Sequence, residues 1–119
     1  MALFAKIIIA FVAIAHLYFL WLEMFAWTTR AKKVFPLPKD LFEPTKVLAA
    51  NQGLYNGFLS AGLIWSLLIS DVEWSKNVAI FFLGCVAIAG IYGGLTASKR
   101  IFYFQAMPAI IGLGLVLFL

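Results

Sequence analysis

Apolar residues in this chain fall into four long runs, not the alternating or one-faced patterns of a water-soluble domain. A helix crosses the hydrocarbon core of a bilayer with about 20 residues, and each run reaches that length. The first extends from about Phe4 to Trp27, with Lys6 near its start, His16 at its middle and Glu23 near its end. The others cover about Val47–Ile69, Asn77–Thr96 and Ile101–Leu119. Between them lie a loop over Thr28–Lys46, a short connection over Ser70–Lys76 and a tight one over Ala97–Arg100. Pro36, Pro38 and Pro44 keep the first loop out of regular helix. Val34, Phe35, Leu37, Leu41 and Phe42 let it lie along a membrane surface. The pattern predicts an all-α integral membrane four-helix bundle forming a single domain, residues 1–119.

Composition narrows the class further. The 119 residues are 65% hydrophobic and 12% charged, whereas a soluble domain is nearer half apolar and about a quarter charged. A globular fold of this size cannot hide so much apolar surface from water. That excludes a soluble domain, a disordered chain and a nucleic-acid binder, despite the net charge of +4. The single cysteine allows neither an intrachain disulfide nor a thiolate metal cluster. With no metal-ligand spacing or phosphate loop in the sequence, neither metal nor cofactor is expected. Ala13-Ile14-Ala15 has the small-x-small form of a signal-peptide cleavage site, but apolar sequence continues to Trp27, which makes the first run an anchor.

Charge placement sets a direction. Arg30, Lys32, Lys33, Lys39, Lys46, Lys99 and Arg100 lie in the first and third connections, against Lys6 and Lys76 on the other side. Basic residues favour the cytoplasmic side, so loops 28–46 and 97–100 are expected in the cytoplasm and both termini outside. Trp27 and Tyr103 then suit the inner interface and Trp74 the outer one.

At 1.5 Å per residue, the polar side chains gather toward one end of the bundle. His16 lies near mid-bilayer and Glu23 about 6 Å from the cytoplasmic end. Asn51, Gln52, Tyr55 and Asn56 fall in the cytoplasmic half of the second run, with Tyr92 and Thr96 at that level on the third and Gln105 on the fourth. The outer half holds only Ser60, Ser66 and Cys85; the serines can be satisfied locally, and Cys85 reads as core. Glu23 stands out, because an ionisable group inside a bilayer costs roughly 2.5–3.5 kcal/mol. A pairing with Lys46 or Arg100 at the interface would lessen that cost. His16 and Glu23 are seven residues apart and share a helix face to within about 20°. Their Cα atoms are separated by about 10.5 Å, too far to share a metal ion but compatible with a proton path through water or substrate.

Small residues form ridges at Ala49, Gly53, Gly57 and Ala61 and at Gly90 and Gly94. Such ridges permit close backbone approach within one chain or between copies in a homo-oligomer. Pro108 deprives the carbonyl of Phe104 of its partner and predicts a kink beside Gln105.

Three stretches carry a resemblance: His16 with Glu23-Met24-Phe25-Ala26-Trp27-Thr28, the run Ala49-Ala50-Asn51-Gln52-Gly53-Leu54-Tyr55-Asn56-Gly57, and Gln105-Ala106-Met107-Pro108-Ala109. Together they resemble a family of small bacterial membrane proteins of this length with four predicted spans, known as a domain of unknown function. The resemblance covers essentially the whole chain and implies a bacterial inner-membrane protein. It implies no activity. A fainter likeness, of arrangement only, is to sterol-isomerase-type membrane proteins, which place acidic and histidine side chains inside a helical bundle.

Three functional readings follow. In the first, a polar pocket open to the cytoplasm binds a small amphiphile or lipid, and proton transfer could isomerise it. Glu23 is then acid or base and His16 its partner, while Asn51, Gln52, Asn56 and Gln105 hold a polar head. Tyr55 and Tyr92 lie against the body of the ligand, and Lys46, Lys99 and Arg100 form a rim for an anionic headgroup. The second reading is a small oligomeric transporter or channel, although the outer half offers no polar path. The third is an accessory subunit whose polar layer joins helices, each contact contributing about 0.6 kcal/mol, and whose basic loop meets lipids or a partner.

Overall fold

The computed structural model describes all 119 residues and contains only helices and turns, with 82% of the chain helical. The elements are α1 (Leu3–Met24), α2 (Ala31–Val34), a 3-10 turn (Lys39–Leu41), α3 (Lys46–Leu68), α4 (Val72–Thr96), α5 (Lys99–Ile101), a π-helical turn (Phe102–Ala106) and α6 (Met107–Phe118). Three helical stretches are long and apolar enough to cross a membrane: Leu3–Met24, Val72–Thr96 and Lys99–Phe118. At 23 residues α3 has the length, but Lys46, Asn51, Gln52 and Asn56 dilute its apolar character.

Several boundaries differ from the sequence expectation, each for a local reason. α1 ends at Met24, not Trp27, because Ala26 N–H reaches back to the Trp21 carbonyl in a wide final turn. α4 starts at Val72, five residues before the expected Asn77. Asp71 caps it by accepting from Trp74 N at 2.9 Å, and Glu73 suits the positive end of the helix dipole. The charged residues read as loop over Ser70–Lys76 therefore begin a helix. At the next corner, Ser98 Oγ accepts from Arg100 N at 3.3 Å, so helix resumes at Lys99. Ahead of Pro108, the missing donor is accommodated by a π turn, in which Met107 N–H bonds to the Phe102 carbonyl.

The chain forms two compact units, Met1–Ala13 with Leu59–Leu119, and Ile14–Phe58. In the first, Ala5, Ile9, Val12, Leu63, Ala79, Leu83, Val86, Ala109 and Val116 make the core. α4 meets the chain around the π turn through its glycines. A side chain at Gly90 would collide with Ala106 backbone, one at Gly93 with Ile101, and one at Gly94 with Phe102. Gly90 and Gly94 thus serve the close approach expected of them, within this one chain. Ser60 Oγ donates to the Ala13 carbonyl at 2.8 Å, tying α3 to α1, and Ser75 Oγ donates to the Ser66 carbonyl at 2.7 Å. Ser66 is satisfied locally on the Leu63 carbonyl, as expected, whereas Ser60 bonds across helices. Cys85, expected in the core, is half-buried.

In the second unit, Leu22, Ala31 and Phe42 are fully buried and Trp27, Val34, Phe35 and Leu37 pack on them. Trp27 is the hub, with ring centroids 4.8 Å from Phe42 and 5.3 Å from Phe35. Of the loop's apolar residues, Phe42 is buried and Val34, Phe35 and Leu37 are half-buried against this small core, while Leu41 is exposed, so the loop packs on itself as well as presenting apolar surface.

Candidate functional site

The unit Ile14–Phe58 holds the most polar buried arrangement in the chain, and its geometry starts with the loop. Trp27 Nε1 donates to Thr45 Oγ1 at 3.0 Å, and that hydroxyl donates to the Leu41 carbonyl at 2.7 Å. The clamp joins residues on either side of the loop and brings the last turns of α1 beside the first turns of α3. Gly53 and Gly57 then let the helices close. A methyl at Gly53 would lie 2.6 Å from Met24 Cγ, 3.0 Å from Glu23 Cβ and 3.2 Å from the Leu20 carbonyl oxygen; one at Gly57 would lie 2.7 Å from Leu20 Cδ1.

Where the two helices meet, Asn56 Nδ2 donates to Glu23 Oε1 at 2.5 Å, and both side chains are buried. Such a contact answers the need created by placing a carboxyl in an apolar helix, since a buried acceptor left without a donor is costly. His16 lies on the same buried stripe of α1 as Ala5, Ile9, Val12 and Glu23, whose spacing follows the helical period. It is fully buried, with the Phe19 ring edge-on at 5.2 Å.

The remaining predicted site residues fall in both units. Asn51 is exposed and donates to the Val47 carbonyl of its own helix at 3.0 Å; Gln52 and Tyr55 are also exposed on α3. In the other unit Tyr92 is exposed and Gln105 half-buried in the π turn. Lys46, Lys99 and Arg100 are exposed. Within the unit Ile14–Phe58, the structure joins Glu23 to Asn56 by a side-chain hydrogen bond and buries His16. The small-residue ridge on α3 also departs from its reading. Ala49 and Gly53 are buried, but Ala61 is exposed, because a repeat of four drifts by about 40° per step from a 3.6-residue turn.

Two shallow concavities stand out on the surface, both in the unit Met1–Ala13 with Leu59–Leu119. One, of about 330 Å3, lies among Trp65, Trp74, Asn77, Val78, Phe81 and Phe82. The other, of about 220 Å3, lies among Ile91, Gly94, Leu95, Lys99, Phe102 and Tyr103. Among the predicted site residues, Lys99 alone lines either one. No group of three or more His, Cys, Asp or Glu side chains is placed to hold a metal ion.

The clamp of Trp27 on Thr45 and the bond of Ser60 to α1 escaped the sequence reading. The first had no signal beyond a Trp at a helix end. The second did have one, because Ser60 follows Asn56 by one turn on the α3 face that carries Gly53.

An all-α chain with three helices apolar enough for a bilayer, and with a carboxyl–carboxamide contact buried between two helices, is compatible with a small multi-helix membrane protein. The chain is a member of the DUF1304 family of proteins of unknown function, whose model matches residues 10–117. It is similar to the uncharacterized protein YpaA of Lactococcus lactis subsp. lactis (strain IL1403), with 31% identity over 116 residues that cover 95% of this chain and 96% of the relative. Neither match is to a sterol isomerase, and no solved structure matches the chain.

Proposed function

We propose that this is a four-span bacterial inner-membrane protein that acts as a structural or interaction subunit, with its buried polar residues serving to join helices. In this reading α3 is the fourth span, both termini are outside, and the 28–46 and 97–100 connections face the cytoplasm. The observation that carries it is the Asn56–Glu23 hydrogen bond, made where a side chain at Gly53 would press on Glu23 Cβ. The carboxyl is engaged by its neighbouring helix, and neither concavity reaches it. The exposed Gln52 and Tyr55 on α3 suit contact with another helix in the membrane, from a second copy or a partner protein.

A second reading, in which the α1–α3 contact opens as an amphiphile site with Glu23 as acid or base, draws on the burial of both His16 and Glu23 on one stripe of α1. Native mass spectrometry of protein purified in mild detergent, with extraction of bound small molecules, separates the two. The subunit reading expects no defined metabolite on the wild type and equal folding of Glu23→Gln. A small molecule retained by the wild type and lost from folded Glu23→Gln and His16→Ala would replace it with the pocket.

A further inference from the structure

The loop that follows α1 carries its charge unevenly and on an ordered support. Within Thr28–Lys39 there are four basic residues, Arg30, Lys32, Lys33 and Lys39, and no acidic one; Asp40 and Glu43 come afterwards. The segment is no loose tether. Ala31 and Phe42 are fully buried, Trp27, Val34, Phe35 and Leu37 pack around them, and the Trp27–Thr45 hydrogen bond holds the ends. With the apolar side chains turned inward, Arg30, Lys33 and Lys39 are exposed and Lys32 is half-buried. Arg30 follows the last residue of α1 by only six positions, so these charges emerge at headgroup level if α1 crosses the bilayer.

We propose that the outer surface of residues 28–39, through Arg30, Lys32, Lys33 and Lys39, docks onto anionic phospholipid headgroups of the leaflet at which α1 ends. Charge complementarity names the occupant, because clustered Lys and Arg beside a transmembrane helix are attracted to anionic lipid. A basic segment serving only to orient the chain during insertion needs charge but no fixed presentation. Here the packed interior holds the charges in place beforehand, which reduces the ordering cost of engaging headgroups. The site extends the membrane reading above and needs α1 to span; it does not depend on the role of Glu23.

The test uses full-length protein in nanodiscs of mixed phosphatidylglycerol and phosphatidylcholine, with retained lipids counted by native mass spectrometry. Wild type is expected to keep phosphatidylglycerol preferentially, and added salt to weaken that preference. Replacing Arg30, Lys32 and Lys33 together by Gln is expected to lower it about fivefold per charge removed. Lys6→Gln, at the opposite end of α1, should leave it unchanged. Absence of a preference in wild type, a preference insensitive to salt, or an unaltered preference in the folded triple variant would overturn the site. Alkaline carbonate extraction of cell membranes tells the two failures apart. Protein that stays with the membrane but shows no preference refutes the lipid site alone, and protein released to the supernatant refutes the spanning of α1 beneath it.

Discussion

In the unit Ile14–Phe58, the close approach of α1 and α3 ends in a hydrogen bond between two buried side chains, Asn56 and Glu23. In the unit of Met1–Ala13 with Leu59–Leu119, α4 meets the π turn with nothing between Gly90 and the Ala106 backbone. Glycine makes both contacts possible, but their energetics differ. Lipid tails are as apolar as the side chains they would replace, so helices in a bilayer gain little from hydrophobic burial and rely on packing and interhelical hydrogen bonds. The Gly90 joint depends on shape and tolerates no added atoms. The Glu23 joint depends on matching a donor to an acceptor, and it tolerates changes that preserve the match.

The largest expected effect probes the shape-dependent joint. Gly90→Leu should cost about 3 kcal/mol or more, since the new side chain has backbone, not a flexible side-chain end, in its way. Gly114→Leu is the matched control: nothing lies within 4 Å of a Cβ there, and the cost should stay below about 0.5 kcal/mol. Thermal unfolding in mild detergent, followed by fluorescence-detected size exclusion, gives the ranking. Equal midpoints for the two variants would end the distinction.

The chemistry-dependent joint comes next. Asn56→Leu removes the donor and leaves the Glu23 carboxyl facing an apolar group, at a cost of about 1–3 kcal/mol. Glu23→Gln retains an acceptor oxygen for Asn56 Nδ2 and should shift the midpoint far less. If both variants unfold alike, the contact carries no chemical selectivity. Thr45→Val is a milder test in the same unit. It keeps the branched shape but deprives Trp27 Nε1 of its acceptor, for a loss of about 1 kcal/mol by the same assay.

These joints differ in how far they could be read from the residues alone. That Glu23 and His16 share a face followed from a spacing of seven, though not that this face is buried, and the glycine pairs on α3 and α4 announced close approach. Helix content and the position of most helices followed from run length. What could not be read was the choice among donors. Asn51, Gln52 and Asn56 are all amides within two turns of α3, and only the angular position of Asn56, beside the Gly53 that admits Glu23, selects it. Depth along a helix alone does not decide which side chains are presented. Rotation about each helix axis decides it as well, and it leaves Gln52, Tyr55 and Tyr92 exposed. An apolar criterion for spans is blind to capping, so it reads charged helix starts such as Asp71 and Glu73 as loop.

The smallest effect returns to the apolar unit, which contains one interhelical hydrogen bond of its own. Ser60 Oγ donates to the Ala13 carbonyl at 2.8 Å, both residues being buried. Ser60→Ala removes the donor, but the Ala13 oxygen still serves the backbone of its own helix, so no acceptor is orphaned. The methyl that remains suits the surrounding core, and alanine is the better helix former. The expected loss is therefore about 0.6 kcal/mol or less, well below that of Asn56→Leu. A Ser60→Ala variant that unfolds as early as Asn56→Leu would mean that hydrogen bonding, not fit, also holds this unit together, and the contrast between the two joints would collapse.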